Sequence, residues 1–247
     1  MSPKLEKLVS SESQVTFDLV VANHILFNEG VLDAFGHVSA RHPCEPSRFL
    51  LARSMAPALV QTEDIMQFDL DGQPLGDDSR TPYLERFIHS AIYRARQDVM
   101  AIVHSHSPSV IPFGVTKTKL RPICHMGGFL GAGAPIFEIR HSAGCGSDML
   151  IRNSELGDAL AETLGSESVV LMRGHGSTAV GESVKQAVFR AVYAEKSAQL
   201  LASSLRLGDV EYLTPEEAAA TSKANDGQVE RPWQLWEMAA QAARVKA

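Results

Sequence analysis

Glu85, His104, His106 and His175 are the side chains whose types and spacing point most directly to chemistry. His104 and His106 stand in the run VHSHSP, at the end of the apolar stretch Val99 to Val103. His175 stands in RGHG, which ends a second apolar run, Val169 to Met172. Three imidazoles and one carboxylate suit a catalytic divalent metal with an open coordination position. In an extended chain, residues two apart share a face, so the β-carbons of His104 and His106 lie roughly 6–7 Å apart. From there both rings reach one ion at about 2.1 Å. The glycines around His175 permit close backbone approach. Glu85 precedes His104 by 19 residues. An acid in the first turn of a helix is also ordinary dipole complementation, and His89, four residues on, shares its helix face. The residues alone do not choose between Glu85 and His89.

The elements that must hold these groups follow from local pattern. Residues 15–29 read as a helix stopped at Gly30. His37 to Arg41 and Arg48 to Ala52 read as strands. Ile65 to Pro74 contains Asp71-Gly72, a hairpin turn signal. Thr81 as N-cap and Pro82 at the first helical position predict a helix there. Leu84, Phe87, Ile88, Ala91, Ile92 and Ala95 form its apolar stripe, with Glu85 in its first turn. Val99 to His104 reads as a buried strand, Gly127 to Pro135 as irregular, 147–164 as a helix and 168–172 as a strand. Glu182 to Leu207 reads as a long helix, and a last helical region holds Trp233, Trp236 and Met238. Helices and strands alternate throughout, which predicts one α/β domain over residues 1–247 with a mixed sheet and a helical tail from about 208. The two tryptophans read as core or subunit contacts.

Composition narrows the class. The chain of 247 residues is 45% hydrophobic and 21% charged, as globular proteins are. A net charge of −6 argues against nucleic acid and anionic membrane as partners. Cys44, Cys124 and Cys145 are odd in number and form no CxxC pair, so neither a disulfide framework nor a cysteine zinc site is expected. The N-terminal run lacks the apolar core of a signal peptide, and no apolar run nears the roughly 20 residues of a membrane span. The expectation is a cytoplasmic protein.

The ordered set Gly36-His37-Val38-Ser39, Thr62 to Gly72, Glu85, His104-Ser105-His106 and Arg173-Gly174-His175-Gly176 resembles the class II aldolase/adducin superfamily, from about Val15 to Leu207. The resemblance implies an α/β/α sandwich around a mostly antiparallel central sheet, and a homotetramer with active sites between subunits. It implies metal ligation by His104, His106 and His175. It assigns Glu85 as the acid/base carboxylate and resting metal ligand, leaving His89 a supporting role.

Departures from the family pattern redirect the chemistry. Sugar-phosphate members surround phosphate with small donors where this chain has Gly36-His37, Arg53-Ser54-Met55 and Tyr83-Leu84. Their proton-donating tyrosine is matched by Met126, after His125, and methionine transfers no proton. The runs GHVSARHP, ERFIHSAIYRAR, HSHSPSVIPF and HMGGFLG resemble instead the superfamily's decarboxylases of hydroxy-aryl and pyridine dicarboxylates, of the 3-hydroxy-2-methylpyridine-4,5-dicarboxylate or 3,4-dihydroxyphthalate type. That resemblance implies a metal-dependent, non-oxidative decarboxylase with Glu85 as proton donor. Manganese is favoured, with zinc, cobalt or iron(II) compatible with the same ligands. Arg53 and Arg80 are the candidates for a second substrate carboxylate. His37, Ser39 and Ser54 are further polar candidates, and His125 is a candidate from a loop or a neighbouring subunit. The competing readings are an aldolase for an unphosphorylated hydroxy-acid or sugar, and an adducin-like assembly domain, which in that family lacks the histidines kept here.

Overall fold

A computed structural model of the chain describes the backbone of residues 3–246 and the side chains of residues 11–244. Seven strands form one sheet: β1 (His37–Arg41), β2 (Arg48–Ala52), β3 (Ile65–Asp69), β4 (Ala101–Ser105), β5 (Ile136–Phe137), β6 (Val169–Met172) and β7 (Gly176–Gly181). Their order is β3-β2-β1-β4-β7-β6-β5, and only the β5–β6 pair is parallel. The helices are α1 (Pro3–Asn28), α2 (Arg86–Ala95), α3 (Ile111–Val115), α4 (Arg140–Ala143), α5 (Ser154–Leu164), α6 (Val184–Leu207), α7 (Pro215–Asp226) and α8 (Glu230–Lys246).

The period-2 alternation of the strands splits the core in two. Val38, Ala40, Ala101, Val103 and Ala179 face one way, onto Ile25 and Leu26 of α1, Val188 and Ala198 of α6, and Trp233 and Trp236 of α8. Phe49, Leu51, Ile102, Val170 and Val180 face the other way, onto Ile88 and Ile92 of α2 and Leu160 and Leu164 of α5. The result is the α/β/α sandwich with a mostly antiparallel sheet, and both tryptophans are core residues. All three cysteines are free thiols. No described helix is long and apolar enough to cross a membrane.

Several boundaries move, each for a local reason. α1 begins at Pro3, not near residue 15. α2 begins at Arg86, because Pro82 is drawn into a β-bridge with Arg53, and the Ser54 amide donates to the Thr81 carbonyl at 2.8 Å. The chain therefore stays extended past the expected cap, and Glu85 occupies the N-cap position instead of the first turn. α5 begins at Ser154, seven residues late, because Asn153 caps it by accepting from the Leu156 amide at 3.0 Å. α7 falls within the helical tail expected from about 208, whereas β7 has no counterpart in the pattern reading. β7, GSTAVG, has little strand propensity of its own and is held by β4 on one side and β6 on the other.

Two glycines let backbones close around the end of β4. A β-carbon on Gly176 would lie 2.0 Å from the Ser105 carbonyl oxygen. One on Gly36, where φ is +86°, would meet Leu32 at 2.5 Å and the His104 carbonyl oxygen at 2.9 Å. Both glycines border the histidines of interest.

Candidate active site

Four side chains converge where β4 ends. The candidate ligand atoms of Glu85, His104, His106 and His175 all lie within 4.8 Å of one another. His104 is the penultimate residue of β4, opposite His37 on β1 and Thr178 on β7. His106 lies just beyond the strand, and His175 in the tight turn between β6 and β7, its amide bonded to the Met172 carbonyl at 3.0 Å. Glu85 arrives from the N-cap of α2.

Backbone groups of the 149–151 loop orient two of the four. The Ile151 amide donates to Glu85 Oε1 at 2.9 Å. His175 Nδ1 lies 3.0 Å from the Met149 carbonyl oxygen. A carbonyl only accepts, so Nδ1 carries the proton and Nε2 offers a lone pair to the cluster, the usual way a metal-binding imidazole is oriented. Met149 has a φ of +66°, which is uncommon for a residue with a side chain. The loop between α4 and α5 was not legible as part of the site, because its residues were assigned to a helix. Asn153, a preferred N-cap residue, and the glycines at 144 and 146 were the signals for a later start.

The electrostatics suit a bound cation. Glu85 Oε2 lies 3.5 Å from His175 Nε2 and 3.6 Å from His104 Nε2. Burial opposes ionisation of Glu85, but the two imidazoles outweigh it and hold the carboxyl below its ordinary range. Burial, reinforced by His104 and His175, lowers His106 to about 4, so its ring is neutral near pH 7. His106 Nε2 and His175 Nε2 stand 2.9 Å apart. His104 is fully buried, and among the described residues neither of its ring nitrogens has a hydrogen-bond partner. Buried polar atoms without partners are costly, about 1–3 kcal/mol each. A divalent cation among these four groups removes that cost for Nε2, and three imidazoles with one carboxylate are an accepted donor set for such an ion. The residues therefore fit a metal.

A cavity of about 430 Å³ opens beside the cluster. Glu85, His37, His106 and Ser54 contribute its polar lining, and Phe35, Met55, Tyr83, Leu84 and Leu150 most of the rest. Among the described lining residues there is no lysine or arginine. Phe35 and Leu150 carry no sequence signal for the site, and Met55, Tyr83 and Leu84 stand out for it only as departures from the family's phosphate-binding positions. Leu84, which the helical spacing places on the buried stripe of α2, is 43% exposed because the helix starts after it.

The other candidates sit elsewhere. Arg53 is turned to Asp64, with Nε 2.7 Å from Oδ1. The guanidinium of Arg80 is divided among Asp78 and the carbonyls of Glu63 and Ile65. Neither lines the cavity of its own chain. Ser39 is buried under α2 instead of facing the cavity, bonded to His89 Nδ1 at 2.6 Å and to the Tyr93 hydroxyl at 2.8 Å. His125 lies in a 3-10 turn, its carbonyl accepting from Asn225 Nδ2 at 2.8 Å, and does not reach the cavity of its own chain.

Comparisons with known proteins bear on family and fold. The family described as Class II Aldolase and Adducin N-terminal domain matches residues 17–202. The chain is 39% identical to the decarboxylase tropJ of Talaromyces stipitatus, over 86% of this chain and 89% of that protein. It is 30% identical to a 3,4-dihydroxyphthalate decarboxylase of Arthrobacter keyseri, over 74% of this chain and 75% of that protein. Among solved structures, an L-fuculose 1-phosphate aldolase from Glaciozyma antarctica superposes with a TM-score of 0.79, at 22% identity, over 97% of this chain and 93% of that one. At that identity the likeness concerns the fold.

Proposed function

The chain belongs to the class II aldolase and adducin family, and on that premise we propose that it is a metal-dependent, non-oxidative decarboxylase of an ortho-hydroxy aromatic carboxylate. It is a carbon–carbon lyase. The observation that carries the narrower reading is the convergence of Glu85, His104, His106 and His175 beside a largely apolar cavity without a lysine or arginine in its described lining. Such a cavity suits a flat aromatic ring better than a sugar phosphate.

His104, His106, His175 and Glu85 would hold a divalent cation, with manganese favoured, and the ion would supply Lewis acidity to the hydroxyl and carboxylate oxygens of the substrate. The chain's own side chains do the rest. Phe35, Leu84 and Leu150 give the ring an apolar wall. Glu85 keeps Oε1 on the Ile151 amide and Oε2 toward the histidines, so one oxygen is anchored and the other is placed to move a proton. Ionised at rest, Glu85 takes the phenolic proton and delivers it to the ring carbon that bears the carboxylate. The carbon–carbon bond breaks, carbon dioxide leaves, and the bonding electrons remain in the ring. The phenolate product regains a proton from water on release. His37 and Ser54 face the same cavity and are the groups available to orient substrate oxygens.

A homotetramer with sites between subunits is part of this proposal. Phe35, at the cavity, is 65% exposed, as a large apolar side chain awaiting a neighbouring subunit would be. Light scattering in solution tests it against the 26.8 kDa of one chain. The activity is tested with a panel of ortho-hydroxy aryl carboxylates and added manganese. Carbon dioxide with the matching phenol is the expected product pair. Release of pyruvate or an aldehyde from a hydroxy-acid panel, with no carbon dioxide, would replace this reading with an aldolase.

A further inference from the structure

Behind the cavity-lining His37 lie three further buried polar groups for which the proposed chemistry has no use. His37, Ser39, His89 and Tyr93 are 4%, 0%, 0% and 1% exposed. They form one continuous chain. His37 Nδ1 lies 2.7 Å from His89 Nε2, His89 Nδ1 lies 2.6 Å from Ser39 Oγ, and Ser39 Oγ lies 2.8 Å from the Tyr93 hydroxyl. β1 and α2 create it: His37 and Ser39 alternate onto the face of the sheet that α2 covers, and His89 and Tyr93 lie four apart on α2. His37 also lines the cavity, its ring against Tyr83 at 4.6 Å and His104 at 5.0 Å between centroids.

Counting protons gives the chain a direction. His37 and His89 are buried and, among the described residues, hydrogen-bond only to each other and to Ser39, so a charge on either ring would be unpaired; each ring is neutral and carries one N–H. Burial likewise keeps Tyr93 protonated. If His89 Nδ1 donated to Ser39, the protons of Ser39 and Tyr93 would compete for the single contact between them. One of the two would then be buried without an acceptor, since among the described residues Ser39 is the only partner of the Tyr93 hydroxyl. Only one order satisfies every interior donor: Tyr93 donates to Ser39, Ser39 donates to His89 Nδ1, and His89 Nε2–H donates to His37 Nδ1. The proton of His37 is then on Nε2, the ring nitrogen with no partner among the described residues.

We propose that Ser39 and His89, backed by Tyr93, are positioning residues that fix His37 as its Nε2–H tautomer, a neutral donor presented to an anionic oxygen of the substrate in the cavity. The identity of that oxygen rests on the decarboxylase reading; the direction of the chain does not. A neutral donor holds an anion without ionising, and it keeps a second positive charge away from the metal-ligand histidines beside it.

The test is nitrogen-15 spectroscopy of histidine-labelled, zinc-loaded protein near neutral pH, with the His37 signals assigned by their loss in His37→Gln. The expected result is His37 protonated at Nε2 and unprotonated at Nδ1. A His37 protonated at Nδ1 overturns the proposal. Ser39→Ala removes the donor to His89 and should yield mixed tautomers, with KM for the acid raised roughly 2- to 10-fold and kcat little changed, the worth of one neutral hydrogen bond. Tyr93→Phe should keep the Nε2–H form, because the proton of Ser39 still needs His89. Ser39→Ala with an unaltered tautomer and unaltered KM also overturns the proposal. If Ser39→Ala does not fold, the wild-type spectrum decides. If no acid on the panel loses carbon dioxide, the decarboxylase reading fails, and the spectrum still decides the direction of the chain.

Discussion

Two groups of imidazoles stand side by side in this molecule, and they are treated in opposite ways. In the cluster of Glu85, His104, His106 and His175, His104 is buried with both ring nitrogens unpartnered among the described residues, and two Nε2 atoms face each other at 2.9 Å. In the chain of His37 and His89, every interior nitrogen has a partner within 2.7 Å. The two groups adjoin at the His37–His104 contact. The difference lies in what each leaves open. The cluster leaves lone pairs converging on a point, which is how protein matrices receive a cation. The chain leaves a single N–H at the cavity, which is how they receive an anion.

The contrast can be broken most forcefully at the cluster. His106→Ala should lose both the bound metal, by elemental analysis, and all measurable carbon dioxide release, since two imidazoles and a carboxylate remain. Next in size is Glu85→Gln, which keeps a carbonyl oxygen for the Ile151 amide but cannot carry the proton. It should retain metal and lose roughly 10²- to 10⁴-fold in kcat, the usual worth of a positioned general acid–base. Full activity in Glu85→Gln would remove that residue from the chemistry. Chelation of the metal should lower thermal stability by about 2.7 kcal/mol relative to protein with free metal at a hundred times its dissociation constant. Ser39→Ala should show the same chelator-dependent loss, while His106→Ala should show none. That pattern separates the ion-receiving group from the positioning chain in one calorimetric series. The smallest effect belongs to Asn153→Ala, about 1 kcal/mol of stability from a lost helix cap. Because Asn153 ends the loop that holds Glu85 and His175, a modest rise in KM should accompany it.

How much of this was legible depended on the range of the interactions involved. β1 and β2 were readable to the residue, because short alternating runs reveal themselves locally. The two faces of the sheet and the convergence of Glu85 with the histidines followed from the motifs and the family resemblance. What local pattern could not show was governed by partners distant in sequence. Pro82 looked like a helix start until Arg53, 29 residues earlier, claimed it for a bridge. β7 exists through β4 and β6 and not through its own small residues. Arg53 and Arg80 looked free until the turn around Asp64 and Asp78 placed carboxylates beside them. The His37–His89 contact spans 52 residues, and only the packing of α2 on β1 creates it.

The central claim is that the four converging side chains hold a divalent metal and that the protein uses them to remove a carboxylate from an ortho-hydroxy aromatic acid. The most direct measurement follows carbon dioxide released from a carboxyl-labelled substrate by wild-type protein as isolated, after chelation, and after manganese is restored. The account predicts one labelled carbon dioxide per phenol formed, loss of release on chelation, and recovery with manganese. Release that persists unchanged in the thoroughly chelated protein, or an aldehyde in place of carbon dioxide, would contradict it.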